Sequence, residues 1–114
     1  MIATAAAFTA VCVLGAWGRT GVIATLDRPA FPAGTLLVNC LGSAAAGALH
    51  VRLDGAASTV AVVGAVGALT TFSTFSTQIA DDLHERRRWR ALANGVATVT
   101  GCVAAATLGA ALAG

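Results

Sequence analysis

Charge is what this chain has least of: 11% of its 114 residues are charged, against 57% that are hydrophobic. A soluble domain would carry roughly twice that charged share, so a free-standing soluble fold is excluded. Lysine and tyrosine are absent, and all seven basic side chains are arginine. The acidic residues, Asp27, Asp54, Asp81, Asp82 and Glu85, fall between the long apolar runs or at their ends. A carboxylate inside a membrane span, which a proton-coupled cation exporter needs, is therefore missing. Cys12, Cys40 and Cys102 show neither CxxC nor paired spacing, which favours buried small side chains over a disulfide or a metal site. No nucleophile–base pair, metal-ligand cluster or phosphate-binding loop stands in usable spacing, which argues against an enzyme and against ATP coupling. The apolar start lacks a basic stretch, so it reads as a first span rather than a cleaved signal peptide.

What is present is apolar sequence in four stretches, about Ile2–Gly18, Ala33–His50, Ser58–Ala80 and Ala91–Ala113. Each approaches or exceeds the roughly 17–25 residues that cross a bilayer. The spacing predicts an all-α membrane protein, one four-span domain over residues 1–114, with mean hydropathy +0.81. Alanine and glycine make up much of each span, so tight helix–helix packing is expected, and with it a partner.

The polar residues inside the spans carry the functional signal. Trp17 and Arg19 close the first span and suit the membrane interface; a snorkelling anchor and a functional arginine are both open for Arg19. In the second, Thr35, Asn39 and Ser43 recur every four residues and stack on one helix face. A mid-span asparagine is costly unless partnered, and two readings follow, an interhelical clasp or a wet polar track. In the fourth, Asn94, Thr98 and Cys102 form a weaker line that either faces the second span or bonds its own backbone. His50 reads as an interfacial residue, and the run Asp81–Arg90 as a solvated loop.

The third stretch holds the organising motif, Gly64 through Thr77. Two glycines, four threonines, two serines and two phenylalanines in that run oppose a plain lipid-facing helix. Broken backbone survives in a bilayer only where protein or a water-filled cavity covers it, so a discontinuous helix that builds a site is expected. Phe72 and Phe75, three apart, would present both rings on one side; ring edges are positive and can face an anion. Core packing is the plain alternative for both.

The run from Gly67 to Ser76, GALTTFSTFS, resembles the signature of the Fluc (CrcB) family of fluoride channels. Gly34–Asn39 (GTLLVN) is similar to the family's second-helix motif, and Gly15–Arg19 (GAWGR) to the end of its first helix. The resemblance implies an antiparallel two-fold dimer whose third helices break and cross, with a structural sodium ion held by backbone carbonyls, here those of Gly67 and Thr70. It further implies a fluoride pathway through Asn39, Phe72 and Phe75, with Thr35, Ser73, Thr74, Ser76 and Thr98 on the polar track and Arg19 near an entrance. Three departures stand out: Ala68 where a second glycine is frequent, Gln78 where glutamate is common, and no tyrosine near Asn94–Gly95.

Arg19, Arg28, Arg86, Arg87, Arg88 and Arg90 lie in loops 1 and 3, and Arg52 alone in loop 2. The positive-inside rule then places loops 1 and 3 in the cytoplasm. So strong a bias suits a chain of fixed orientation pairing with a homologue of reversed bias, with a homodimer as the alternative. The expected function is a passive fluoride channel of the cell membrane that exports fluoride and gives resistance to it, in contact with lipid and not with nucleic acid. The competing readings are a dual-topology four-span cation or multidrug exporter, or a non-conducting assembly subunit.

Overall fold

Nothing between Ile2 and Leu26 forces a helix to stop. In the computed structural model, which describes all 114 residues, α1 (Ile2–Leu26) runs that whole length. It continues past Gly18 because the polar residues there are satisfied locally. The Thr20 and Thr25 hydroxyls donate to the carbonyls of Ala16 and Gly21, one turn back, at 2.9 and 2.8 Å. Arg19, expected at the end of the span, consequently lies inside the helix.

After a short turn that contains the Asp27–Pro32 bridge, α2 (Ala33–Arg52) begins behind a buried Pro32. Proline suits this boundary, since it fixes φ and lacks an N–H that would need a partner. The third span covers Gly55–His84 and is not uniform. It opens with α3 (Gly55–Ser58), then widens into a π-helical segment over Thr59–Val66, where the Gly67 N–H reaches the Val62 carbonyl five residues back. A single turn, α4 (Gly67–Leu69), follows, and then Thr70 and Thr71 leave helical geometry, with φ/ψ of −77/159° and −146/111°. The path bends there before α5 (Phe72–His84).

The turn into α6 (Arg88–Ala113) is tight. The Arg86 N–H donates to the Leu83 carbonyl and that of Arg87 to the Asp82 carbonyl, at 3.1 and 2.7 Å. That pair of bonds is a Schellman closure, with Arg86 at φ 62° in the position usually given to glycine.

The helices α2 and α6 form the most extensive contact in the molecule, α1 packs on the third span and on α2, and α5 packs on α6. Small residues make the α2–α6 contact close. A Cβ added at Gly47 would strike the Ala106 carbonyl oxygen, and one at Gly109 the Ala44 carbonyl oxygen.

Burial is the reverse of a soluble protein's. The buried polar side chains are Thr35, Asn39, Thr71, Asp82, Asn94 and Thr98, while the buried apolar ones are Val38, Val66 and Ala91. Leu14, Trp17, Val63, Val103 and Leu112 face outward. Apolar surface in water costs about 25 cal/mol per Å², so such an exterior matches a hydrocarbon surrounding and such an interior a polar task. The longest dimension, 49 Å, exceeds the roughly 30 Å of a bilayer's hydrocarbon core. All four spans are long and apolar enough to cross a membrane. They run somewhat beyond the apolar stretches, so that Asp81 and Asp82 ride on the last turn of α5.

Candidate functional site

The bend at Thr70–Thr71 exposes main-chain groups that a continuous helix would pair internally, and the surrounding elements supply the partners. Asn39, carried into the interior by α2, does so with both ends of its amide. The Thr71 N–H donates to Asn39 Oδ1 at 2.7 Å, and Asn39 Nδ2 donates to the Thr71 carbonyl at 3.1 Å. The side chain thus pairs with the peptide chain as a neighbouring strand would. Of the two readings of Asn39, the clasp is what this geometry contains, and its partner is main chain. One Nδ2 hydrogen and one Oδ1 lone pair remain for a further contact.

Thr71 then starts α5. Its Oγ1 accepts from the Thr74 N–H at 3.1 Å, an N-cap bond, and donates to Thr74 Oγ1 at 2.9 Å; Ser73 Oγ lies 3.4 Å away. Upstream, Arg19 crosses from α1 and donates to the Thr70 carbonyl at 3.3 Å. Gly67, by contrast, keeps only the Thr70 hydroxyl against its carbonyl, at 3.5 Å, because the amide that would bond it in an unbroken helix is the one taken by Asn39.

Phe72 and Phe75 follow on α5 with ring centroids 6.0 Å apart and planes tilted by 51°. Phe75 is half-buried, whereas Phe72 is 79% exposed. Both line a cavity of about 290 Å³ together with Asn39, Ser43, Thr71 and Thr98. Asn39, Phe72, Phe75 and Thr98, from the second, third and fourth spans, therefore meet around one space, whereas Ser73 and Thr74 do not line it. Ser76 lies outside it, on a wider groove of about 750 Å³ between α5 and α6, walled by Ile79, Leu83, Leu92 and Val96. That groove is mostly apolar, with Arg88 and Thr100 among its lining residues.

Thr35 lies elsewhere, in a network beside the turn between α1 and α2. Its N–H and Oγ1 donate to the two carboxylate oxygens of Asp27 at 2.9 and 2.8 Å, and Gln78 Nε2 donates to Asp27 Oδ2 and Thr35 Oγ1 at 2.8 and 2.9 Å. Asp27 thereby satisfies a first-turn amide of α2. A loop aspartate gives no local sign of that role; the one available signal is its position eight residues before Thr35 across a proline-containing turn. Gln78 Oε1 is buried without a partner.

On α6, Asn94 and Thr98 are buried, with Thr98 Oγ1 donating to Asn94 Oδ1 at 3.2 Å, while Thr100 and Thr107 bond their own backbone. Asn94 Nδ2 is fully enclosed and has no acceptor. It was marked in the sequence only as part of a weaker polar line. Ser43 reaches the cavity as the third member of the α2 stripe.

Taken together, the arrangement places neutral amide and hydroxyl groups and two aromatic rings around a narrow space, and no charge except Arg19 on the flank. Such a site can replace the hydration of a small anion without binding it too firmly. A family model described as "CrcB-like protein, Camphor Resistance (CrcB)" matches residues 6–110. No curated protein matches the chain.

Proposed function

The chain belongs to the CrcB-like family, and from that premise we propose that it forms a passive, fluoride-selective channel in the cell membrane that exports fluoride and confers resistance to it. The observation that carries the reading is the cavity at the bend, which Phe72 and Phe75 line together with the buried Asn39 amide and Thr98 hydroxyl. Fluoride is small and holds its water strongly, so a pore must offer dense donors in exchange. The residual N–H of Asn39, which lines the cavity, is one such donor. Ser73 and Thr74 continue the hydroxyl supply past the bend, whereas the Thr35 hydroxyl is committed to Asp27 and Ser76 faces the outer groove. Arg19 raises the local anion concentration while its charge is partly satisfied by the Thr70 carbonyl.

On this reading the third helix acts as two half-helices, and the chain works as an antiparallel two-fold dimer. The high exposure of Phe72 supports a second subunit that closes the open side of the cavity. The carbonyls of Gly67 and Thr70 fit a structural sodium ion in chemistry: both are neutral oxygens beside the bend, and that of Gly67 lacks a main-chain donor from Thr71. When bound, sodium supplies the positive charge that such freed carbonyls call for. Arg19 meets the same need at Thr70 from within the chain.

Loops 1 and 3 face the cytoplasm on the arginine bias. Arg87 pairs with Asp82 and Glu85, and Arg90 with Asp82. That leaves Arg28, Arg86 and Arg88 free of ion pairs against Arg52 in loop 2, a bias of the same sign. This supports a fixed orientation and a homologous partner inserted the other way round.

The test is fluoride efflux from liposomes, read with a fluoride electrode against a chloride control. Fast fluoride-selective flux that is lost in Phe72→Ile is expected, from this chain alone if it forms homodimers, or on adding an oppositely oriented homologue. Absence of flux in both settings overturns the channel reading.

A further inference from the structure

Cys40 on α2 and Cys102 on α6 are both half-buried, and their sulfurs face one another at 4.0 Å. The close α2–α6 packing brings them together. A Cβ built on Gly101 would lie 3.1 Å from Cys40 Sγ, so that sulfur rests against the glycine backbone next to Cys102. From this juxtaposition we infer that Cys40 and Cys102 form a two-sulfur site for a soft divalent metal ion that prefers two ligands in line, mercury(II) being the type.

The spacing discriminates between bridges. A disulfide, at about 2.05 Å, requires the sulfurs to close by roughly 2 Å. Two metal–sulfur bonds of about 2.3 Å laid end to end span about 4.6 Å, so a small opening of the side chains suffices. A tetrahedral ion such as zinc is excluded, because no group of three or more His, Cys, Asp or Glu side chains stands together anywhere in the chain. Charge selects the valence. In an apolar span net charge is costly; two thiolates with a divalent ion are neutral, whereas a monovalent ion leaves one negative charge. The step involves no electron transfer: each S–H releases its proton to water as a sulfur–metal bond forms, giving one bridged ion and two protons. Cys102 also borders the cavity that holds Asn39 and Phe75, which gives a dissolved ion a path to the pair. Cys12 is separate, its Sγ donating to the Gly64 carbonyl at 3.5 Å on the other side of the bundle.

The test uses the full chain in detergent with Cys12→Ser as background, loaded with mercuric chloride and washed with an excess of a competing monothiol. One mercury retained per chain, with both remaining thiols silent to a thiol reagent and both recovered after a dithiol chelator, is the expected result. Adding Cys40→Ser or Cys102→Ser should lower retention on the order of a hundredfold, the advantage a second tethered ligand confers. Cys40→Ala and Cys102→Ala provide a second pair, compared only where they elute as the parent does. Equal retention by the single-thiol variants, or two ions per chain, overturns the assignment.

Discussion

Replacing Asn39 by leucine removes both bonds that hold the main chain of Thr71, and the size of the loss tests whether the bend depends on them. Thr71 is only 5% exposed, so its N–H and carbonyl would be stranded together. An unsatisfied buried group costs about 1–3 kcal/mol, which gives about 2–6 kcal/mol for the pair. Side-chain hydrogen bonds measured within membranes average about 0.6 kcal/mol, which would give about 1.2 kcal/mol. The larger range is expected here, because the freed groups lie where the helix offers no internal replacement. Unfolding of the purified chain in mixed detergent–dodecyl sulfate micelles measures it.

Asn39→Asp sharpens the test. Its carboxylate can still accept from the Thr71 N–H but turns an oxygen toward the Thr71 carbonyl, so one of the two bonds is lost and it should destabilise the chain as well. A leucine variant within about 1 kcal/mol of the parent would refute the clasp as the support of the bend.

Substitutions at three further positions are read in the same micelle assay. Thr71→Val deletes the hydroxyl that caps α5 and should cost about 1 kcal/mol, whereas Thr71→Ser, which keeps the cap, should be nearly neutral. Gly109→Ala sets a methyl against the Ala44 carbonyl oxygen; parting α2 from α6 should cost about 1–3 kcal/mol, and an unchanged unfolding curve would mean the contact is looser than described. Arg86→Gly relieves a left-handed residue at φ 62° and should stabilise the turn by about 1 kcal/mol; a loss would point to a role for the guanidinium itself.

The four spans were legible because hydropathy along a chain is a local quantity, and a bilayer demands it over a known length. The unusual conformation at Thr70–Thr71 was announced by the hydroxyls and glycines packed around it, again a local signal. What Asn39 touches was not legible. Its place on a stripe with Thr35 and Ser43 follows from helical period, but the stripe divides: Asn39 and Ser43 meet the bend, while Thr35 meets Asp27 and Gln78. That division depends on how α2 slopes across two other elements. The reach of α1 was understated because Gly18 and Arg19 look like an ending, and the Thr20 and Thr25 hydroxyls conceal their compatibility with a helix by bonding it directly. Cys40 and Cys102, sixty-two residues apart, become neighbours only through α2–α6 packing.

The π-helical segment over Thr59–Val66 also bears on how the chain tolerates changes in length. Each π turn houses more residues than an α turn of similar rise, so the segment is a store of spare chain. Removing one residue there should let the backbone tighten to α while the flanking helices keep their rotational phase. Elsewhere in the spans the same deletion would turn every downstream side chain by about 100°, carrying Phe72, Phe75 or Asn94 away from its partners. The stretch ahead of the bend is thus where this architecture can absorb a single-codon deletion without rotating its polar interior toward lipid.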